Sequence, residues 1–475
     1  MDTTGIPHPP HRLPVLGDLV GVDPRTPVQA TVRAGRTLGP IFTRKIMGTE
    51  IVFVSGIDLV TELNDEKRFG KHVGLGVENL RAVAGDGLFA AYSTEPNWRF
   101  AHDILQPAFT QEAMRGYHPI MVEVARELLA SWDAAPGPVD VAADMTKLTL
   151  ETIGRAGFGY RFGSFERSEP HPFVSAMTRV LRFAQLQVVK LAPLRRAIGG
   201  SAKQNQADIK LMTDLVDEVI AARREDDGGR DLLGLMLSQT HPETGARLDP
   251  VNIRSQAITF VVAGHETTSG ALSFALYYLT RHPELLARAQ AEVDALWGDQ
   301  PDPEPAFGDI AKLRYVRRVL DEAMRLWPTA PGYSREARED LLLGGRYPMR
   351  KGEWVLVMLP LLHRDPAAWG PDADEFDPER FAPGAAKKRP AQAYKPFGTG
   401  ERACIGRQFA IHEAVLALGM VLHRYDLATD PAYQLKIAES LTLKTDGFRV
   451  SPTLRRRTAR PANPQLGDEL RPVNS

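Results

Sequence analysis

The chain has 475 residues and a formal net charge of −1, because 58 lysine and arginine residues balance 59 aspartate and glutamate residues. This balance argues against a nucleic-acid-binding protein, which would carry a general basic field. The single cysteine excludes an internal disulfide and any zinc site built only from cysteines.

The N-terminal stretch, MDTTGIPHPPHRLPVLGDLVG, holds neither an apolar run of signal length nor a membrane-spanning segment of about 18 residues. We therefore expect a cytoplasmic protein without a membrane anchor. Beyond this stretch, helical periodicity with caps and Pro or Gly stops predominates, and β-type runs such as 50–55 and 354–358 are few and short. The pattern predicts a mainly α protein with small β-sheets.

No internal repeat, low-complexity tract or long Ser/Gly linker divides the chain, although its length alone allows about three domains of ~150 residues. The polar, Pro-rich end, residues 454–475, is typical of an irregular tail or the stub of a linker.

The segment 252–283 predicts a helix of roughly eight turns. Its middle, AGHETT, is unusually polar for a buried helix, since Gly costs about 1 kcal/mol against Ala and threonine stiffens χ1. Thr267 is placed to donate a hydrogen bond to the Ala263 carbonyl, which would strain the helix and open a bulge able to hold water or dioxygen. The plainer alternative is a kinked helix whose threonine satisfies itself. We assign no role to His265, because a lone histidine on a helix is more often structural.

A second helical segment, LDEAMRLWP, places Glu322 and Arg325 three residues apart on one face. An exposed ion pair at this spacing contributes only ~0.3 to 0.5 kcal/mol, so the pair by itself indicates no function. The sequence FDPERF, which contains Arg380, follows downstream.

Cys404 lies in the sequence FGTGERACIG, a glycine-rich loop ahead of an apolar helical pattern that begins at Arg407. Free N–H groups and the positive dipole at a helix N-terminus favour a thiolate. Gly398, Gly400 and Gly406 lack Cβ atoms, which allows the backbone to approach a flat, bulky group. The residues leave three interpretations of the sulfur: an inert core residue, a nucleophile or a lone ligand to a cofactor.

The pattern F-G-x-G-x-R-x-C-x-G resembles the haem-binding loop of the cytochrome P-450 haem-thiolate monooxygenases. In that family the cysteine is the proximal ligand of the haem iron, and its electron push favours O–O cleavage. The resemblance implies that Cys404 is the iron ligand and that Arg402 faces a haem propionate. It also implies that Phe397 and Gly398 contribute to haem binding.

Two further motifs resemble the same family. AGHETT is similar to its oxygen-binding stretch, which implies that Glu266 and Thr267 deliver protons to bound dioxygen. The E-x-x-R and P-E-R-F motifs imply a buried structural triad of Glu322, Arg325 and Arg380.

Over nearly the whole chain, from about Ile6 to about Val450, the sequence looks like the haem domain of bacterial fatty-acid hydroxylases that carry a fused diflavin reductase. The resemblance implies one large haem-enclosing domain, residues 1–453, with a β-rich part near the N-terminus. Lys71 and Trp98 match positions that contact the haem propionates. The matching substrate-pocket positions are Phe89, Val77, Leu80, Ala263, Ala330 and Leu441.

The resemblance breaks down at the mouth of the substrate channel. Those hydroxylases hold the fatty-acid carboxylate with an arginine and a tyrosine, whereas this chain has Thr49 and Phe53 at the matching places. Arg44 and Lys45 are candidates to replace this anchor, but strand alternation does not say which of them points into the channel. We expect a hydrophobic substrate, either a medium- or long-chain fatty acid or related lipid, or a non-fatty-acid compound such as a secondary metabolite or xenobiotic.

The resemblance implies haem b as the cofactor, with electrons that come ultimately from NAD(P)H. No reductase follows within the 475 residues, so we expect a separate flavodoxin-like, diflavin or ferredoxin partner, or a sequence excised from a fusion. A basic cluster near the cysteine loop is either the docking surface for such an acidic partner or an ordinary solvated surface. The cluster consists of Lys387, Lys388, Arg389, Lys395, Arg402 and Arg407.

We therefore predict a monooxygenase that activates dioxygen and hydroxylates an apolar C–H bond. A peroxide-driven enzyme fits less well, because such relatives usually replace the acid and the alcohol that this chain keeps at Glu266 and Thr267. A haem sensor or carrier without turnover is a third alternative, although an acid–alcohol pair has little purpose in a carrier.

Overall fold

A computed structural model of the chain describes residues 1, 3–14, 16–18, 25–46, 48–167, 169–186, 201–224, 229 and 231–455. Helices predominate among these residues, which confirms the predicted class. The helices are α1 (Pro27–Leu38), α2 (Ile57–Leu63), α3 (Leu75–Glu78), α4 (Arg81–Ala84), α5 (Pro96–Leu105), α6 (Gln111–Asp133), α7 (Val141–Phe158), α8 (Pro172–Leu186), α9 (Ala202–Arg224), α10 (Leu232–Ser238), α11 (Pro250–Arg281), α12 (Pro283–Trp297), α13 (Arg314–Leu326), α14 (Leu359–Leu362), α15 (Pro366–Trp369), α16 (Pro383–Ala386) and α17 (Arg407–Arg424), with 3₁₀ turns at Gln106–Phe109, Phe307–Lys312, Pro378–Phe381 and Gly400–Arg402.

The strands are short and form several small sheets. They are β1 (Ile41–Ile46), β2 (Thr49–Val54), β3 (Phe69–His72), β4 (Val139–Asp140), β5 (Gly332–Ala337), β6 (Leu341–Leu343), β7 (Tyr347–Met349), β8 (Trp354–Met358), β9 (Tyr425–Ala428), β10 (Ile437–Glu439), β11 (Leu443–Thr445) and β12 (Arg449–Leu454). The largest sheet has five strands in the order β1-β2-β8-β5-β3, and the smaller ones are β4-β12-β9, β6-β7 and β10-β11. Both predicted β-runs are strands, because 50–55 overlaps β2 and 354–358 is β8.

The longest helix, α11, runs through the main core. The Asp249 side chain caps its first turn by accepting hydrogen bonds from the N–H groups of Val251 and Asn252. Where α11 crosses α7, a Cβ on Gly264 would lie only 3.0 Å from the Ile153 side chain. Glycine therefore lets the two helices pack closely, in spite of its cost to helix stability.

The main hydrophobic core lies among the helices, and separate clusters lie on the two faces of the β1–β2 hairpin. One face, with Ile41, Val52 and Val54, packs into the core of the large sheet. The other, with Phe42 and Phe53, packs against α1 and α14. Each fully buried large apolar side chain stabilises the fold by roughly 1.5 to 3 kcal/mol.

The described residues contain no helix with the length and apolar character to cross a membrane. Strand β12 ends at Leu454, and the next residue, Arg455, pairs with Asp294 at 2.7 Å. The described structure thus extends two residues past the predicted boundary at 453. The rest of the predicted tail, 456–475, lies outside the described residues.

Candidate active site

Cys404 lies in the turn before α17, as predicted, and its backbone N–H donates to the Phe397 carbonyl at 2.9 Å. The residue is accessible to solvent, yet protein surrounds it closely enough that burial raises the pKa of its thiol. A side chain that is both accessible and surrounded lines an internal space. A hydrogen bond with the Gly406 backbone and the positive charge of Arg407 oppose this rise in the thiol pKa. A metal cation in that space would favour the thiolate further, since coordination deprotonates a thiol.

Two of the three loop glycines are required by the backbone. Gly398 and Gly400 have φ angles of +71° and +72°, a region that other residues rarely adopt. A Cβ on Gly400 would also collide with the Glu66 carboxylate, which accepts a hydrogen bond from the next backbone N–H at 3.0 Å. Gly406, in contrast, has a φ of −83°, and its Cβ would make only ordinary contact with Phe109.

The segment 87–91 connects the cysteine loop to α11. Arg402 donates to the Ala91 carbonyl at 2.7 Å and, less closely, to the Leu88 carbonyl at 3.4 Å, while its guanidinium lies over the Trp98 ring. The N–H of Leu88 donates to Gln256 of α11 at 3.0 Å. Segment 87–91 therefore contacts both the predicted haem-binding loop and the predicted oxygen-binding helix.

Three cations gather beside this segment, and none has an ion pair among the described residues. Lys71 donates to the Phe89 carbonyl at 2.7 Å, and burial, reinforced by Arg402 and Arg335, lowers the pKa of its ammonium to about 7. Burial lowers the pKa of Arg402 to about 10 and also lowers that of Arg335, whose Nε has no hydrogen-bond partner. Buried cations without an anion are costly, so the site is suited to a ligand that carries carboxylates.

The residues present therefore fit haem, with the Cys404 sulfur for the iron and the three cations for the propionates. Lys71 and Arg402 were predicted from the sequence, but Arg335 was not. It lies on β5 opposite Lys71 of β3, a pairing between strands far apart in sequence. No local sequence pattern predicts a pairing between strands so far apart in the chain.

On α11, the Thr267 hydroxyl donates to the Ala263 carbonyl at 2.9 Å, as predicted. The helix nevertheless stays α-helical throughout 250–281, so the expected bulge is not formed. Ala263 is exposed although Val261 and His265 on either side are buried. The stripe that carries Ala263 and Thr267 is thus the accessible side of this part of α11.

Glu266 points away from that stripe. Its buried carboxylate accepts hydrogen bonds from Thr442 at 3.0 Å and Lys444 at 3.3 Å, and it lies 3.3 Å from Nε2 of His265. Burial alone would raise the pKa of Glu266, but His265, Lys444 and Thr442 together hold it well below its usual range. His265, to which the sequence assigned no role, also contacts the Val261 carbonyl at 2.7 Å. Glu266 is therefore ionised.

The six predicted pocket residues differ in accessibility. Phe89 is 38% exposed and Ala263 is exposed, whereas Leu80 is only 3% exposed and belongs to the main core. The half-buried members are Val77, Ala330 and Leu441. Leu80 thus contributes packing behind the pocket rather than accessible surface.

The three residues of the predicted triad lie together where α13, which carries Glu322 and Arg325, meets the 3₁₀ turn that carries Arg380. Arg325 and Glu322 are both fully buried and form two hydrogen bonds of 2.6 and 2.7 Å. Nε of Arg380 lies 3.6 Å from the same carboxylate, and its other nitrogens donate to the carbonyls of Trp369 and Asp372. These residues join α13 to the segment that leads to the cysteine loop.

Only some residues of the predicted basic cluster are exposed on the surface of the protein. Arg389 packs over the rings of Trp369 and Phe381, and Arg402 points to the internal space. The remaining members are half-buried Lys395 and the exposed Lys387, Lys388 and Arg407.

Comparison with known proteins agrees with this geometry. The sequence pattern of the family described as Cytochrome P450 matches residues 7–451. The chain is 48% identical to bifunctional cytochrome P450/NADPH–P450 reductase 2 of Bacillus subtilis, with 91% of this chain and 41% of the relative covered. It is 46% identical to the bifunctional cytochrome P450/NADPH–P450 reductase of Bacillus cereus (96% and 43% covered) and 40% identical to a self-sufficient cytochrome P450 monooxygenase of Phanerodontia chrysosporium (94% and 42% covered). The chain spans about two fifths of the length of these curated relatives.

Proposed function

This chain belongs to the cytochrome P450 family of haem monooxygenases, and we propose that it hydroxylates an apolar substrate with dioxygen and with electrons from a reductase. The observation that carries the proposal is the accessible stripe of α11, with Thr267 bonded to Ala263, together with the accessible Cys404 thiol, whose loop is linked to the same helix through segment 87–91. When bound, haem supplies an iron centre that activates dioxygen.

The residues of the chain hold the cofactor and manage protons. Cys404 would provide the sulfur ligand of the haem iron. Lys71, Arg335 and Arg402 would pair with the propionates, which would offset the cost of burying these three cations without anions. Because the Thr267 hydroxyl donates to Ala263, its lone pairs remain free to accept a hydrogen bond from a protonated group in the space.

Glu266 forms the second stage of this proton path. Its carboxylate is charged and is held by Lys444 and Thr442 on the side away from Thr267, so its part in the path requires the side chain to turn towards the internal space. A peroxide-driven reaction needs no such delivery. The chain keeps both the acid, Glu266, and the alcohol, Thr267, and this pair favours the dioxygen-dependent reaction.

We propose a medium- or long-chain fatty acid or a related lipid as the substrate, because the sequence resembles the haem domain of reductase-fused fatty-acid hydroxylases, and relatives with fused reductases match nearly the whole chain. The alternative is an apolar compound without a carboxylate, which the replacement of the usual anchor by Thr49 and Phe53 favours. The electron donor is a diflavin-type reductase, joined to the chain or separate. Lys387, Lys388 and Arg407 are exposed for docking such an acidic partner.

The test uses the haem-loaded protein with NADPH, a diflavin reductase, dodecanoic acid and isotope-labelled dioxygen. We expect one labelled oxygen atom in a hydroxylated product, and a rate that falls as ionic strength rises. Product that forms only with added hydrogen peroxide, or label that comes from water, would contradict the proposal. A carbon monoxide difference spectrum of the reduced protein verifies thiolate ligation independently.

A further inference from the structure

Two neighbouring side chains of α11, His265 and Glu266, contact each other in the protein interior. Both are buried, and Nε2 of the imidazole lies 3.3 Å from Oε1 of the carboxylate. On the other side of the ring, Nδ1 lies 2.7 Å from the Val261 carbonyl oxygen, one turn earlier in the helix. A carbonyl oxygen only accepts hydrogen bonds, so Nδ1 of His265 carries a proton and donates it to this contact.

The protonation of Nε2 follows from the atom that faces it. With the proton fixed on Nδ1, a neutral imidazole would point the lone pair of Nε2 at a carboxylate oxygen, with no donor between the two atoms. Nε2 is buried and has no other hydrogen-bond partner among the described residues. Two buried acceptors that face each other are costly, so one proton lies between Nε2 and Oε1. His265 and Glu266 therefore hold this proton together, as an imidazolium beside a carboxylate.

Lys444 of β11 is the charged group from another element that contacts this pair, and it donates to the same Oε1 at 3.3 Å. Acids on the helices that pack against α11 are engaged elsewhere or uncharged. Glu151 of α7 and Glu322 of α13 each bind an arginine, and burial raises the pKa of Glu413 of α17 well above its usual range. The Lys444 side chain is 25% exposed, so solvent reaches the pair from the side of β11.

We propose that His265 stores the proton that Glu266 carries to Thr267. The N–H bond at Nε2 breaks and an O–H bond forms at Oε1, which leaves a neutral imidazole and a neutral carboxyl group. The carboxyl group turns towards the internal space and donates its proton to the Thr267 hydroxyl, which passes its own proton on. Glu266 returns as a carboxylate, and a proton from solvent beside Lys444 restores the imidazolium. This inference rests on the proposed function, and His265 is a positioning residue that acts through Glu266.

The test replaces the histidine by a residue that keeps a donor but stores no proton. In His265→Gln the amide can still donate a neutral hydrogen bond to Glu266, but it has no proton to give up. His423→Gln is the matched control. His423 is also fully buried and also lies between a backbone carbonyl, that of Gln300 at 2.8 Å, and a carboxylate, that of Asp294 at 3.2 Å, but it is on α17.

Each haem-loaded protein is supplied with NADPH, a diflavin reductase and dodecanoic acid, and the ratio of hydroxylated product to NADPH is measured at pH 6 and at pH 8. Relative to the unaltered protein, we expect His265→Gln to lower this ratio about 10-fold or more at pH 8, as for loss of an acid catalyst. The deficit should shrink at pH 6, because an isolated carboxyl group takes up a proton from water more readily as pH falls. His423→Gln should match the unaltered protein. An unchanged ratio in His265→Gln, or a deficit of equal size at both pH values, would overturn the inference.

A second measurement needs neither turnover nor a folded His265→Gln. The reduced, carbon monoxide-bound protein is labelled with isotopic nitrogen in its histidines, and NMR spectra of the unaltered protein and of Glu266→Gln are compared. We expect an imidazolium signal that Glu266→Gln converts to that of a neutral imidazole, because the amide supplies a donor to Nε2. Absence of such a conversion would overturn the inference. A haem-loaded, unaltered protein that forms no hydroxylated product would instead refute the proposed function, so the two failures are distinguishable.

Discussion

Replacement of Arg325 by alanine tests how the proximal side is held together. Arg325 is fully buried, and besides its two bonds to Glu322 it donates to the carbonyls of His363 at 2.8 Å, Ala373 at 2.6 Å and Glu375 at 2.9 Å. Arg325→Ala would remove all five hydrogen bonds. It would leave the buried Glu322 carboxylate with the more distant Arg380 and one backbone N–H.

The expected loss is large relative to the stability of a protein of this kind. Breaking a buried ion pair costs about 3 to 5 kcal/mol, and each buried carbonyl left without a donor adds roughly 1 kcal/mol or more. Native proteins are stable by only about 5 to 15 kcal/mol. We therefore expect Arg325→Ala to lose most of its stability and to be recovered without haem, because the same contacts position the segment before the cysteine loop.

Arg317 on the same helix provides a matched control. It also pairs with an acid one turn away, Asp321 at 2.8 Å, but its side chain is 31% exposed. Arg317→Ala should cost about 0.5 kcal/mol and keep its haem. The assay is the denaturant midpoint together with the ratio of haem to protein absorbance. Fully haem-loaded Arg325→Ala with a stability within about 1 kcal/mol of the control would refute the reasoning.

The same variant has a predictable pH dependence. Burial already raises the pKa of Glu322, with Arg325 opposing it, and loss of Arg325 raises that pKa further. A carboxyl whose folded pKa exceeds its unfolded value of about 4.3 destabilises the protein above that value, and the penalty is relieved as pH falls through the folded pKa. The stability deficit of Arg325→Ala should thus be smaller near pH 5 than near pH 8. A deficit that does not change with pH would show that Glu322 is not its source.

Three further predictions concern the haem side. Thr267→Ala should consume NADPH without forming a matching amount of product, whereas Thr267→Ser should keep the original ratio of hydroxylated product to NADPH. An unchanged ratio in Thr267→Ala would rule out a role for Thr267 in proton delivery. Haem uptake by the haem-free protein near pH 8 should release about one proton fewer than uptake by Lys71→Met, since Lys71 with a pKa of about 7 is mostly neutral until propionates raise it, whereas both proteins lose the Cys404 thiol proton on ligation. The buffer dependence of the binding enthalpy measures this difference, and equal proton release by the two proteins would contradict the prediction. Gly400→Ala should lower haem content, because the left-handed conformation costs about 1 to 2 kcal/mol, whereas Gly406→Ala should not; equal haem content in both would contradict the backbone argument.

Local sequence patterns predicted the local parts of the site. The helix at 252–283, the Thr267–Ala263 hydrogen bond and the turn before α17 all depend on residues within a few positions of one another. The partners of Glu266 could not be predicted in this way, since Thr442 and Lys444 come from a hairpin 176 and 178 residues further along the chain. The prediction of a bulge at Thr267 was wrong because it, too, considered only residues close together in the sequence. Tight packing of α11 against α7 keeps the helix regular where its own sequence would allow distortion.

Burial without a partner is the property that the sequence could not reveal. Arg325 is fully buried but is completed by Glu322 from its own helix, whereas Lys71, Arg335 and Arg402 have no ion pair among the described residues. A cofactor with carboxylates accounts for these three cations. A local pattern identifies a basic side chain, but the cost of burying it depends on partners from distant segments, because only the pairing of β3 with β5 places Arg335 beside Lys71.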